Sequence, residues 1–382
     1  MTYPRVLDID DDLKNRSVFL FGPRQTGKTT YLRQRYPTAP FFNLLHGEVF
    51  LRLSREPYRL RQELSLHDGG ESPIVIDEIQ KLPVLLDEIH DLIEARGLRF
   101  IMTGSSPVKL RRGSVNLLGG RARIRRLFPL TYTEIPDWNV DRVVKYGSIP
   151  SIFLSQEPEQ DLKAYCGAYL ALEIQAEGIV RGIDAFSRFL QIAALSSGEL
   201  VNFEAVASDA QVPARTVREY FAVLSDTLVG EIVEPYSPNR NPGRKPVSRG
   251  KFYFFDVGVA NTLSLRNGIE RNSEAYGRAL ENLIFSELRA WVSYSRNDYP
   301  VRFWRTIDGS EVDFVVGDEF AVEVKATGAV GQRDFRGLTR LSDENPALRR
   351  YLVCTEPAPR VVDGVHVVPV EKFLAKLWSG RA

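Results

Sequence analysis

Apolar and polar positions along this chain repeat with different periods in different regions, and the changes of period divide it. In the first third, short unbroken apolar runs stand between longer stretches of mixed polarity: 18–21 reads VFLF, 74–76 reads IVI and 100–102 reads FIM. Apolar and β-branched runs of this length without alternation predict strands buried on both faces of a parallel sheet. Residues 30–36 read as a helix between the first two runs. Strand, helix, strand, helix in this order predicts an α/β fold with helices on both faces of the sheet. Beyond Asp137 the spacing turns helical, with Tyr165, Leu170, Ile174 and Ile179 loosely periodic and helical stretches at 186–195, 203–207 and 213–221. Pro213 suits a first helical turn. Extended segments at 228–236 and 251–255 follow, then an amphipathic helix at 279–288 and strands at 302–305, 311–316 and 320–325.

A length of 382 residues suggests two to four domains at roughly 100–200 residues each. The net charge of +1 leaves no global field, so affinity for nucleic acid has to come from local basic patches. Cys166 and Cys354 are the only cysteines and lie far apart, a usage that points to an intracellular protein. His46, His67, His90 and His366 are scattered, which argues against a histidine-built metal site. The first 14 residues lack the apolar core of a signal peptide, and no apolar run approaches the roughly 18 residues of a membrane span. A cytoplasmic protein with no membrane partner is expected.

The chemistry begins directly behind the first apolar run. Gly22-Pro23-Arg24-Gln25-Thr26-Gly27-Lys28-Thr29, followed by Thr30, satisfies the P-loop pattern at every required position. Glycines let backbone N–H groups turn inward around phosphates, Lys28 can reach the β- and γ-phosphates, and the Thr29 hydroxyl can hold Mg²⁺. ATP or GTP is the implied ligand. The second run ends in Asp77 and Glu78. Nucleotide hydrolysis needs one carboxylate near the metal shell, a role that suits Asp77, and one that polarises the attacking water, which suits Glu78. The third run ends in Thr103-Gly104-Ser105-Ser106, small polar residues that either orient water or form a simple turn.

Together these segments resemble the AAA+ superfamily, and within it a broad prokaryotic group of ATPases. That group's P-loop reads G-P-R-Q-x-G-K-T, its acidic strand I-D-E-I-Q-K-L-P, and its third strand ends in T-G-S-S; this chain carries all three. Leu118-Gly119-Gly120-Arg121 ahead of Pro129-Leu130 continues the resemblance. It implies ATP and Mg²⁺ as cofactors, Ser105 or Ser106 as a sensor, and Arg121 or Arg123 as an arginine finger acting across a subunit interface, hence a homo-oligomer. Arg121, Arg123 and Arg125 alternate along one short extended segment, which a solvated basic face or a DNA-facing one explains equally well.

In the middle of the chain, two short helices joined by a tight turn, then a hairpin with a basic loop, look like a winged helix. Arg215, Thr216 and Arg218 would face a groove, and Arg240, Arg244 and Lys245 lie in a loop from Pro238 to Lys251 that contains no acid. Phosphate contacts from such a loop would be salt-sensitive and blind to sequence; packing or protein contact is the competing use. In the last third, Glu281 lies on the amphipathic helix, Asp313 on one strand, and Glu323-Val324-Lys325 on the next. An extended Glu-x-Lys projects both side chains from one face. Three carboxylates and a lysine converging in this way can hold Mg²⁺. This order resembles the PD-(D/E)xK nuclease superfamily, which implies Glu281, Asp313 and Glu323 as metal ligands and Lys325 as the residue that orients water. The expected organisation is an ATPase core at 1–134, a helical linker at 135–185, a winged-helix-like domain at 186–262 and a small α/β restriction-endonuclease-like domain at 263–382. Three functions fit: an ATPase that acts on DNA, including branched DNA; a nucleotide switch for protein assembly with the tail as scaffold; and a stress or defence nuclease gated by ATP.

Overall fold

The run behind Arg16 becomes β1 (Ser17–Phe21), with all five residues buried. It lies inside a sheet formed with β2 (Phe41–Asn43), β3 (Ile74–Asp77), β4 (Phe100–Gly104) and β5 (Ala122–Arg126), in the order β2-β3-β4-β1-β5. Every pairing in it is parallel. Phe19, Phe21, Ile74, Ile76, Phe100 and Met102 meet Leu85, Ile89 and Leu92 of the helix Leu85–Arg96 in one core. Burial on both faces is why these strands read as continuous apolar runs. β5, whose sequence is ARIRR, is the exception, and it sits at the sheet edge.

The computed structural model describes residues 3–67, 72–107, 110, 118–169, 182–237, 249–265, 269–271 and 273–380. The chain divides into two compact units, one of 2–129 with 226–228 and the other of 130–225 with 229–382. The parallel sheet belongs to the first.

In the second unit, α1 (Ile183–Leu195), α2 (Phe203–Ala210) and α3 (Ala214–Asp226) precede an antiparallel pair, β6 (Gly230–Val233) and β7 (Lys251–Phe254). Leu200 adds a bridge to Lys251. Phe186, Phe189, Phe221, Phe252 and Phe254 interlock in this core, mostly edge to face, the arrangement that ring quadrupoles favour. α4 (Val257–Leu263) follows, then α5 (Glu274–Ser295), whose N-cap Ser273 accepts from the Tyr276 N–H.

The last segment is a six-stranded mixed sheet. It comprises β8 (Val301–Arg305), β9 (Glu311–Val316), β10 (Phe320–Val324), β11 (Arg349–Cys354), β12 (Arg360–Val362) and β13 (Val365–Pro369), in the order β12-β13-β11-β10-β9-β8. β8, β9 and β10 run antiparallel, whereas β10, β11 and β13 run parallel. The helix Arg336–Glu344 lies between β10 and β11 in the chain, and Val370–Trp378 ends it.

Two buried carboxylates tie this unit together. Asp256 caps α4, accepting from Val259 N at 3.1 Å, and also takes the Ser148 N–H at 2.7 Å, which joins the helix Val140–Tyr146 to α4. Burial lifts its pKa to about 6 against the pull of those backbone donors. A Cβ at Gly258 would lie 2.3 Å from the Tyr146 carbonyl oxygen, so the two segments pack backbone to backbone. Glu287 accepts from Tyr132 N at 2.8 Å and from Trp378 Nε1 at 2.7 Å, and burial raises it to about 8.

Two outcomes are expected. Gly258→Ala should cost about 2–3 kcal/mol through overpacking against backbone that cannot yield; an unchanged melting midpoint would contradict the backbone contact. Raised carboxyl pKa values mean that the folded state holds the proton more tightly. The stability they confer is therefore full below the ordinary carboxylate range and is lost as pH rises through about 6 for Asp256 and about 8 for Glu287. Thermal midpoints should fall from pH 5 to pH 8, and Glu287→Gln, though less stable overall, should fall less steeply; parallel curves would remove Glu287 as the cause.

Candidate nucleotide site and carboxylate cleft

The loop between β1 and the helix Lys28–Arg35 is held by its own carbonyls. Thr26 Oγ1 donates to Pro23 O at 2.8 Å, and Lys28 Nζ donates to Gly22 O at 2.7 Å and Pro23 O at 3.1 Å. Gln25 and Gly27 take positive φ, 63° and 86°, the left-handed geometry that turns successive N–H groups to one side. Gly22 is required for a different reason: a Cβ there would stand 2.4 Å from Leu127 O. Arg5 braces the turn from beneath, donating to Thr26 O at 2.7 Å and Phe128 O at 2.6 Å. No local signal marks Arg5 in the sequence.

Asp77 ends β3, fully buried, and accepts from Thr29 Oγ1 at 2.8 Å and from Thr103 Oγ1. Burial pushes its carboxyl above the ordinary aspartate value, while the two hydroxyls oppose that shift. A threonine hydroxyl and a carboxylate side by side at the helix start form a hard-oxygen donor pair. That pair fits Mg²⁺, which binds through one or two protein oxygens and keeps its waters. Glu78, next along, has φ 63°. Its N–H donates to Thr103 Oγ1 at 3.0 Å, and its carboxylate accepts from Gln80 Nε2. Left-handed backbone at a residue with a Cβ is strained by about 1 kcal/mol or more, and here it falls at the residue that follows β3.

Near the end of β4, Thr103 is bonded both to the Asp77 carboxylate and to the Glu78 N–H. Ser105 Oγ lies 3.5 Å from Gln80 Nε2, and Ser106 donates to Asp226 O at 2.7 Å. The alternating arginines also find partners. Arg123 Nη1 lies 2.6 Å from Asp12 Oδ1, Arg125 Nε lies 2.6 Å from Asp12 Oδ2, and Arg121 pairs with Glu94. Asp12 is fully buried. Alternation along β5 thus places Arg123 and Arg125 on one face over a single carboxylate.

In the second unit, β9 and β10 bring Asp313 and Glu323 onto adjacent strands, and α5 adds Glu281. Lys325 Nζ lies 2.6 Å from Glu323 Oε1, and Val324 N donates to Asp313 Oδ2 at 2.8 Å. Two residues outside the expected set join them. Glu311 opens β9, and Lys251 reaches in from β7. The Lys251 ammonium contacts Glu311, lies 3.4 Å from Glu281 Oε1 and lies 3.8 Å from Asp313 Oδ1. Tyr253 donates to Glu281 as well. Burial raises Glu281 to about 7, with the Asp313 charge adding and Lys251 opposing. For Lys251, burial works against the charge, but Glu281, Asp313 and Glu311 overcome it and keep the ammonium protonated. At 2% exposure, Lys251 is no part of a phosphate-facing basic loop, as its place in the sequence implied. Lys251, Glu281, Glu311 and Asp313 line a cavity of about 410 Å³ with Arg278 and Arg305; Glu323 and Lys325 are not in its lining. Among the described residues, no three His, Cys, Asp or Glu side chains stand so as to hold a metal ion. A divalent ion does not fit this cleft as arranged.

Arg215 is exposed and pairs with Glu219 at 3.2 Å. Arg218 lies 4.5 Å over the Phe203 ring and 3.8 Å from Glu204, and Thr216 is half-buried. Arg240, Arg244, Lys245 and the helical positions Leu170, Ile174 and Ile179 lie outside the described residues.

Comparison with known proteins finds three family matches along the chain. Residues 14–136 match a family described as an AAA domain; 138–271 and 276–373 each match a domain of unknown function. With the strand order and the loop described above, the first unit is an AAA-type P-loop domain. An uncharacterized protein of Mycobacterium tuberculosis is 26% identical over 375 residues, covering 94% of this chain and 80% of that protein. One of Haemophilus influenzae is 24% identical over 389 residues, covering 92% of each. Among solved structures, the Aeropyrum pernix ORC1 protein in complex with DNA aligns over 65% of this chain and 86% of that one at 16% identity, with a TM-score of 0.24. Among the described residues, no helix is long and apolar enough to cross a membrane.

Thr103→Val should cost about 1–3 kcal/mol, because it leaves Asp77 and the Glu78 N–H short of a buried partner. Ser105→Ala should cost less. Equal melting midpoints for the two variants would show that Thr103 is not the residue that holds the acids.

Proposed function

We propose that the protein is a Mg²⁺-dependent ATP hydrolase whose nucleotide cycle serves DNA binding or remodelling. The observation that carries this reading is the chain from Thr29 through Asp77 and Thr103 to the Glu78 backbone, set directly behind the P-loop. Mg²⁺, when bound, supplies the charge that neutralises the β- and γ-phosphates. Thr29 and Asp77 would hold it, while the N–H groups of 22–30 and the ammonium of Lys28 would cradle the phosphates. Glu78 would take the proton from the attacking water at its carboxylate. The Gln80 amide now bonded to that carboxylate fixes its orientation. Ser105 would act near the γ-phosphate, and Arg121 or Arg123, released from Glu94 or Asp12, would complete the site of a neighbouring subunit in a homo-oligomer.

The DNA assignment is supported by the order of three helices and an antiparallel ribbon in the second unit, which suits a winged helix. Arg215, Thr216 and Arg218 on α3, with Arg240, Arg244 and Lys245, are its candidate contacts. The order helix, three antiparallel strands, helix, parallel strand from α5 to β11 supports a nuclease-like tail with Glu281, Asp313, Glu323 and Lys325. On this reading, the domains run 1–134, 135–185, 186–262 and 263–382. A second reading, the tail as a scaffold without cleavage, is favoured by the Lys251 ammonium among the tail's carboxylates.

ATP turnover measured with single-stranded, duplex and junction DNA tests the proposal. Wild type should be stimulated by at least one DNA form and lose that stimulation as salt rises. Lys28→Ala and Glu78→Gln should each lose turnover by about 100-fold or more, a size typical of losing a catalytic group. Turnover that survives Lys28→Ala would remove the claim.

A further inference from the structure

The carboxylate cleft of the second unit contains a cation of its own. Glu281 comes from α5, Glu311 and Asp313 from β9, and Glu323 from β10. Lys251 comes from a different sheet, as the first residue of β7. Its ammonium stands within 4 Å of three of those acids. Arg305 neutralises the far oxygen of Glu311 at 2.7 Å. Glu323 is left partly unmatched: it is 6% exposed, Lys325 takes one oxygen, and Oε2 is buried with no hydrogen-bond partner. Glu323 lies on β10, the strand next to β9, which carries Asp313 and Glu311. An acid cluster with an orphaned oxygen and a fixed positive charge inside it is arranged for a cation, and the lysine stands in the cation's place.

Resting on the nuclease-like reading of the C-terminal sheet, we propose that Lys251 is a built-in counter-ion that closes this cleft to divalent cations. Glu281, Asp313 and Glu323, with Glu311 as an additional acid, form a metal site only when the ammonium is absent. Because β7 and the carboxylate strands belong to different sheets, the state of the cleft depends on where the ribbon holds one side chain. An ammonium and a divalent ion cannot share the cluster, since each would bring positive charge within a few ångströms of the other.

The test is thermal unfolding of the nucleotide-free full chain in EDTA and in millimolar Mn²⁺, together with Mn²⁺ binding followed by electron paramagnetic resonance. Wild type should show no Mn²⁺-dependent shift arising from this cleft. Lys251→Met should melt lower in EDTA, because its carboxylates then repel, and should gain about 5 °C or more in Mn²⁺, the scale expected when ligand is near 100 times its dissociation constant. Adding Asp313→Asn should abolish that gain, and adding Asp77→Asn should leave it. Lys251→Gln, which keeps a polar group among the acids, serves if the methionine variant fails to fold. A wild-type Mn²⁺ shift that Asp313→Asn removes would overturn the counter-ion role while leaving the nuclease-like metal reading intact. Folded Lys251 variants that bind no Mn²⁺ would overturn both.

Discussion

The candidate nucleotide site depends on one buried carboxylate. Asp77 is withdrawn from water entirely and is held in place by hydroxyls from two other segments, Thr29 at the start of the helix and Thr103 on the neighbouring strand. Burial alone would drive it towards the neutral form; hydrogen bonds to the charged form oppose this. The same Thr103 hydroxyl receives the Glu78 N–H and so supports the left-handed turn at the second acid.

The two acid clusters solve the same electrostatic problem differently. In the first unit, neutral hydroxyls satisfy the carboxylate and leave its charge available to a ligand. In the second, an internal ammonium cancels much of the charge, and Tyr253 adds a hydrogen bond to Glu281. A carboxylate set that reads as a metal centre from residue type and order can therefore be self-neutralised by one residue from elsewhere in the fold. Whether such a site takes an ion is decided by desolvation and local charge balance.

Much of this was legible in the amino-acid order. Buried parallel strands announced themselves as VFLF, IVI and FIM, because a sheet covered on both faces needs no polar alternation. The P-loop and the Asp77-Glu78 strand end were equally plain, since both are local patterns. β2 was not marked, being only three residues long. The role of Thr103 was hidden among neighbours of the same chemistry, and only the strand geometry separates it from Ser105. Long-range pairs were invisible: nothing near Arg123 or Arg125 points to Asp12, more than a hundred residues away. Lys251 is the sharpest case. It ends a basic, acid-free stretch and reads as solvent-facing, yet the pairing of β7 with β6 and its packing beside α5 bury it among carboxylates.

The central claim, that Asp77 and Thr29 form the metal side of a working nucleotide site, is tested most directly by measuring ATP affinity with and without Mg²⁺ in wild type and Asp77→Asn. The account predicts that Mg²⁺ tightens ATP binding to wild type about tenfold or more, or about 1.4 kcal/mol. The variant should keep its metal-free affinity and lose most of that gain. An undiminished Mg²⁺ effect in Asp77→Asn would contradict the assignment.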